Sequence, residues 1–168
     1  ELVHEKKGQV FMFIDFHGHF QKKNAFMYGT EFPVYHPNYM RVKILPKLIS
    51  NFTDIFRFGS CMFRISEAKK TTARAVFSTS FGVHQFYTLE TSYASYFTEN
   101  RETEPFDKEK FKELGLITAR AIYEYQVLLE EEELLRKQKN QGAVPIKTRT
   151  PISEFINKSQ AKTRIICK

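Results

Sequence analysis

The stretch that decides the fold is Val10-Phe-Met-Phe-Ile-Asp-Phe16, which runs directly into His17-Gly18-His19. A short, almost continuous apolar run that is rich in aromatic side chains is typical of a strand buried on both faces of a parallel or mixed sheet. Polar residues that follow such a strand are a common place for chemistry in open α/β sheets. The stretch therefore predicts a buried strand with a candidate functional site at its end.

Segments of strand and helix character alternate along the rest of the chain. The spacing of apolar residues predicts a helix over 39–52, in which Pro46 should start, kink or break the helix. A second helix is predicted from Asp107, a good N-cap residue, to Lys139. Four further strands are predicted, at 25–28, 58–65, 73–77 and 83–89. This order indicates an α/β fold with a mixed, largely buried sheet flanked by helices. Two helices are too few to cover such a sheet, which favours a partial domain.

The composition is that of a folded domain followed by a basic extension. The chain has 168 residues, 42% hydrophobic and 15% aromatic, and a formal net charge of +7. Most of that charge lies in 141–168, which hold six basic residues and one acidic residue. We therefore expect a globular domain over 1–139 and a flexible basic tail over 140–168. Such a tail either binds an acidic surface or is simply solvated.

Several classes of protein find no support in the sequence. There is no glycine-rich phosphate loop, no Gly-x-Ser-x-Gly nucleophile motif, and no apolar run of membrane-spanning length. Cys61 and Cys167 lie far apart, and no signal peptide is evident at the first residue, so a reducing, cytoplasmic compartment is expected. We expect neither a membrane nor a nucleic acid as a partner.

Three residues are candidates for chemistry, each with a plainer alternative. His17, beside Asp15, is either a zinc ligand oriented by that carboxylate or a hydrogen-bonded structural histidine. Glu90, after an apolar run, is either a general base or a surface glutamate at a strand end. Arg74 is either a clamp for a carboxylate or a strand-edge residue that reaches into solvent. His19 competes with His17, since strand alternation puts both on one side.

Four separate segments, in the right order, resemble the cytosolic carboxypeptidases, whose members include protein deglutamylases. The first matches the signature strand and loop of that family, and the last matches the start of its final helix. The segments are Phe13–Gly29, Ile44–Asn51, Thr72–Val76 together with Phe81–Thr91, and Phe111–Gly115. The resemblance implies a zinc carboxypeptidase fold, of which this chain would be the C-terminal half of the catalytic domain.

The resemblance also implies a role for each candidate. His17 would be the C-terminal ligand of a single zinc ion held by two histidines and one glutamate, with the other ligands expected upstream of this chain. Glu90 would be the general base, which takes a proton from the attacking water and passes it to the leaving amine. Arg74 would favour an acidic side chain in the specificity pocket.

The implied function is removal of C-terminal or side-chain glutamates from proteins such as tubulin, in the cytoplasm, at microtubules or cilia. The chain departs from the family pattern in three ways. It lacks a His-x-x-Glu motif, Phe20 stands where a small hydroxyl residue is usual, and Tyr93-Ala-Ser95 replaces a glycine-containing stretch. These departures motivate two alternatives: a catalytically inactive relative that binds acidic protein tails, and a fragment without function of its own.

Overall fold

The computed structural model describes residues 10–65, 67, 70–81 and 84–140, with the backbone alone for 78–81. The chain divides into two compact units, Glu1–Ile117 and Thr118–Lys168. The predicted basic tail lies outside the described residues, apart from Asn140, which ends a helix.

A mixed three-stranded sheet forms the centre of the first unit. Its strands are β1 (Phe13–His19), β2 (Ala25–Tyr28) and β3 (Phe86–Ser92), in the spatial order β1-β3-β2. β1 runs parallel to β3, and β2 runs antiparallel to it. The expected mixed sheet is confirmed. β3 ends three residues later than the strand predicted at 83–89, so Glu90 lies inside the strand rather than after it.

β1 is less buried than its composition predicts. Its residues are half-buried or exposed, and Phe16 is 60% exposed. β3, in contrast, is nearly all buried, with Phe86 and Leu89 at 0% exposure. The prediction that the first strand is buried on both faces was wrong, because β1 is an edge strand of this sheet and the central position belongs to β3.

The first helix, α1 (Asn38–Phe52), continues through Pro46 without a break. A proline has no N–H to donate to the carbonyl four residues earlier, which here is that of Val42. The Tyr87 hydroxyl of β3 lies 3.0 Å from that carbonyl oxygen and 2.8 Å from Oε1 of Gln85, so its single proton is shared between the two acceptors. The predicted break at Pro46 is thus avoided by a hydrogen bond from the sheet.

The segment predicted as a strand at 73–77 is helical, in α2 (Ala73–Phe81). The Val76 N–H donates to the Thr72 carbonyl at 3.0 Å, which is the pairing that opens a helix. Two alanines favour this conformation. Phe77 then packs on the sheet, with its ring centroid 5.5 Å from that of Phe86.

The strand predicted at 58–65 is also absent. Phe58–Ser60 form a 3₁₀ turn, and Met62 makes an isolated bridge with Tyr28. A second bridge joins Phe56 to Ala25. The outer edge of β2 is therefore paired in two places that the turn separates. Cys61 lies beside them: its sulfur accepts the Met27 N–H, and burial raises the pKa of its thiol to about 12.

A hairpin and a long helix complete the described chain. The sequence did not predict the hairpin, which pairs β4 (Ser95–Phe97) with β5 (Thr103–Pro105). The long helix α3 (Lys108–Asn140) confirms the prediction for 107–139, and Asp107 caps it by accepting the Lys110 N–H at 2.9 Å. An ion pair between Lys137 and Glu133, at 2.7 Å, supports its last turns. No described helix combines the length and apolar character needed to cross a bilayer.

Candidate functional site

The register of the sheet sets His17 directly beside Glu90. The two residues are Cα partners on the parallel strands β1 and β3. Neighbouring strands lie about 4.8 Å apart, and residues in register project from the same face of a sheet. We call this face the site face. It comprises Phe13, Asp15, His17 and His19 of β1, Phe86, Thr88, Glu90 and Ser92 of β3, and Phe26 and Tyr28 of β2.

His17 is held by the carboxylate two residues before it. Its Nε2 atom lies 2.8 Å from Oδ2 of Asp15, and both side chains are about half exposed. A neutral imidazole that donates from Nε2 carries its lone pair on Nδ1. This is the arrangement that a metal-binding histidine needs, because an acceptor on one nitrogen fixes the tautomer of the other.

His19 has the opposite arrangement. Its Nδ1 atom accepts the backbone N–H of Lys22 at 3.2 Å, so the proton of the neutral ring is on Nε2. Neither nitrogen then offers a lone pair to a metal. The spacing of the two histidines left the choice of ligand open, and these contacts favour His17.

Arg74 reaches the site face from α2. Its side chain is 7% exposed, its Nη1 atom donates to the Gly29 carbonyl, and its guanidinium carbon lies 5.6 Å from the centre of the Tyr28 ring. Burial lowers the pKa of the guanidinium, with Tyr28 opposing, yet an arginine stays charged at neutral pH. A guanidinium has five donors, so the bond to Gly29 does not exhaust them. Helix packing rather than a strand edge thus places this cation on the same face as His17 and Glu90.

Comparison with known proteins supports the family expected from the sequence. Mouse cytosolic carboxypeptidase 2 is 29% identical over 149 residues, which cover 80% of this chain. Human cytosolic carboxypeptidase 4 is 35% identical over 97 residues, or 49% of the chain. A crystal structure of a metallo-carboxypeptidase from Burkholderia cenocepacia shares the fold over 70% of the chain, with a TM-score of 0.54 at 19% identity. This chain is similar in sequence to the cytosolic carboxypeptidases. No family model matches it.

The match to the cytosolic carboxypeptidases is partial in length. The chain spans 17% of the mouse protein and 8% of the human one. It likewise covers 31% of the Burkholderia cenocepacia structure. The chain therefore matches only part of a metallo-carboxypeptidase fold, in keeping with the partial domain that the element order predicts.

The described residues fit one ligand of the metal site that similarity to a metallo-carboxypeptidase implies. A catalytic zinc ion takes three protein ligands. Within the part of the chain that the structure describes, no group of three or more His, Cys, Asp or Glu side chains is placed to hold an ion. His17 with Asp15 has the donor chemistry of one ligand and its carboxylate partner. That further ligands lie upstream stays a prediction.

Two features of the first unit were not predicted from the sequence. Asn24, which is 1% exposed, adopts a left-handed backbone with φ 65° just before β2. Its amide donates to the Asp54 carbonyl and accepts from the Phe97 N–H, at 3.0 and 3.1 Å. An asparagine between charged residues and a strand is a turn signal of the kind that tolerates this conformation. Tyr93 is the second feature: a Cβ added to Gly18 would overlap its ring.

Proposed function

We propose that this chain is part of a zinc-dependent carboxypeptidase that removes C-terminal or side-chain glutamates from protein tails. The observation that carries the proposal is the pairing of His17 with Glu90 in the β1–β3 register, with Arg74 on the same face. A zinc ligand, a carboxylate and a cation are the three kinds of group that this hydrolysis requires.

Each residue has a distinct task in this proposal. His17 holds the metal through Nδ1 while Asp15 keeps its Nε2–H in place. Zinc, when bound, lowers the pKa of water and stabilises the oxyanion that forms on the substrate carbonyl. Glu90 takes the proton of the attacking water and returns it to the leaving amine. Glu90 is half-buried on the central strand, directly beside His17 in the register.

The proposed preference for a substrate with an acidic terminal side chain rests on Arg74. A buried, charged guanidinium pairs best with a carboxylate, because the fork of donors matches two oxygens. A terminal glutamate side chain supplies that partner. Polyglutamylated or glutamate-ended tails, with tubulin as an example, are the substrate class that we propose. The cytoplasm is the proposed location, with microtubules or cilia as the specific site.

Metal analysis and peptide hydrolysis test the proposal on the longest natural chain that contains these residues. We expect one zinc ion per chain and release of glutamate from a glutamate-ended peptide. Glu90→Gln should lower kcat by about 10²–10⁴-fold while the zinc content stays unchanged. His17→Ala should lose zinc. Wild-type turnover by Glu90→Gln, or full zinc content in His17→Ala, would contradict the assigned roles.

An inactive relative that binds acidic tails is the second candidate. It is favoured by the incomplete ligand set among the described residues. Such a protein would bind a polyglutamate peptide through Arg74 without releasing glutamate, and its affinity would not depend on zinc. Stoichiometric zinc together with glutamate release excludes it.

A further inference from the structure

The Nε2 atom of His19 is a buried donor that the protein leaves unused. The backbone N–H of Lys22 donates to Nδ1 of His19, so the proton of the neutral ring is on Nε2. This Nε2 atom is shielded from solvent and has no hydrogen-bond partner among the described residues. Buried N–H groups in folded proteins are nearly always paired, because an unpaired one forfeits its hydrogen bond to water. Because this atom is closed to solvent, an acceptor from elsewhere reaches it only when a neighbouring side chain, such as the exposed Lys22 over Phe26, moves aside.

The position of this donor indicates where the acceptor comes from. His19 lies on the site face, two register positions beyond His17 and Glu90. Its ring centroid is 5.1 Å from that of Phe26, which is the partner of Glu90 on the other side of β3. A group that lies over Glu90 and Phe26 is thus a neighbour of the His19 ring.

The charge around the site face indicates what kind of acceptor fits. The ammonium of Lys22 lies 4.6 Å over the ring of Phe26, so it shares that ring with His19. The rings of Phe26 and Tyr28 are 5.4 Å apart, and Arg74 lies over the second of them. One cation therefore flanks each end of the aromatic pair beside Glu90. An acceptor that meets both an N–H group and an ammonium is best supplied by a carboxylate.

We propose that His19 and Lys22 form a second carboxylate subsite, which binds the side chain of the glutamate that precedes the terminal glutamate. This subsite rests on the proposed function, in which Arg74 takes the terminal side chain. The His19 Nε2–H group donates a directional hydrogen bond to the glutamate carboxylate, and the Lys22 ammonium attracts it by charge. The turn of residues 19–22 holds both groups together, because the Lys22 N–H is itself bonded to His19.

The test compares the affinities of acetyl-Glu-Glu and acetyl-Ala-Glu for the longest natural chain with zinc present. The Glu90→Gln background keeps both peptides intact during calorimetry. We expect the parent to prefer acetyl-Glu-Glu by about tenfold, since a charged hydrogen bond is lost with the alanine peptide. His19→Phe, which keeps the ring but has no donor, should reduce that preference to near unity. Lys112→Gln, on an exposed helix position, should leave the preference unchanged.

Lys22→Gln provides a second, independent test. The Lys22 side chain is exposed, so it can be replaced without loss of the fold, and the hydrogen bond from its backbone N–H to His19 remains. The substitution should lower the preference and weaken its dependence on salt. A parent without a preference overturns the subsite, as does a preference that survives in both variants. If the zinc-loaded wild type shows the preference but releases no glutamate, the proposed hydrolysis fails while the subsite stands.

Discussion

At the scale of single residues, two departures from the family pattern form one packing unit. Phe20 and Tyr93 are far apart in sequence, yet their ring centroids are 4.8 Å apart. The ring of Tyr93 also lies over Gly18, the residue between the two histidines of β1. A larger residue at 20 and a ring at 93 thus complement each other, and the missing side chain at 18 makes room for the ring of Tyr93.

Gly18→Ala should destabilise the protein by about 1 kcal/mol, because the new methyl group pushes Tyr93 away from Phe20 and an aromatic pair is lost. The free energy of unfolding in denaturant measures this change. Gly59→Ala is a matched control, since a Cβ there meets no atom within 4 Å. In a Tyr93→Gly background the cost of Gly18→Ala should disappear, and an undiminished cost there would show that Tyr93 is not the obstacle.

At the scale of elements, the sequence predicts best where local chemistry decides the conformation. Asp107 has a capping side chain and is followed by a long periodic segment, so the helix behind it follows from local signals. The run at β1 identified a strand, and its spacing put His17 and His19 on one side. Pairing between strands is a long-range property, so the register that joins His17 to Glu90 could not be read from either segment alone.

The errors have the same physical origin. Ala73–Phe77 contains a valine and a phenylalanine, which favour a strand, but packing of Phe77 on Phe86 is satisfied by a helix. The placement of Arg74 changed with it, from a strand edge to a helix over the sheet. Pro46 was expected to interrupt α1, and the group that removes the penalty, Tyr87, is 41 positions away in the sequence. Tertiary contacts overrode local preference in both cases.

The bond from Tyr87 to Val42 can be tested as a compensation for Pro46. Tyr87→Phe should cost about 1–3 kcal/mol of unfolding free energy, because the buried hydrogen bond to the Val42 carbonyl is lost. In a Pro46→Ala background the alanine N–H supplies a donor to that carbonyl, so the same substitution should cost about 1 kcal/mol less. Equal costs of Tyr87→Phe in the two backgrounds would mean that the hydroxyl does not replace the missing N–H.

At the scale of the whole molecule, the outer edge of β1 governs whether a polypeptide of residues 1–168 associates with itself. Among the described residues, no strand pairs with the outer edge of β1. Phe16, on the face opposite His17, is 60% exposed at that edge. An unpaired edge with an exposed aromatic side chain is a template for pairing with another chain.

We therefore expect this polypeptide to self-associate through β1, with a mass by sedimentation equilibrium that rises with concentration. Phe16→Lys should shift it toward monomer, because a charge at an edge strand opposes edge-to-edge pairing. Leu134→Lys adds the same charge at a residue that is 56% exposed on α3, and should leave association unchanged. If the two substitutions have equal effects, net charge rather than the β1 edge governs association. A monomer at all concentrations would show instead that the strand edge is protected in solution.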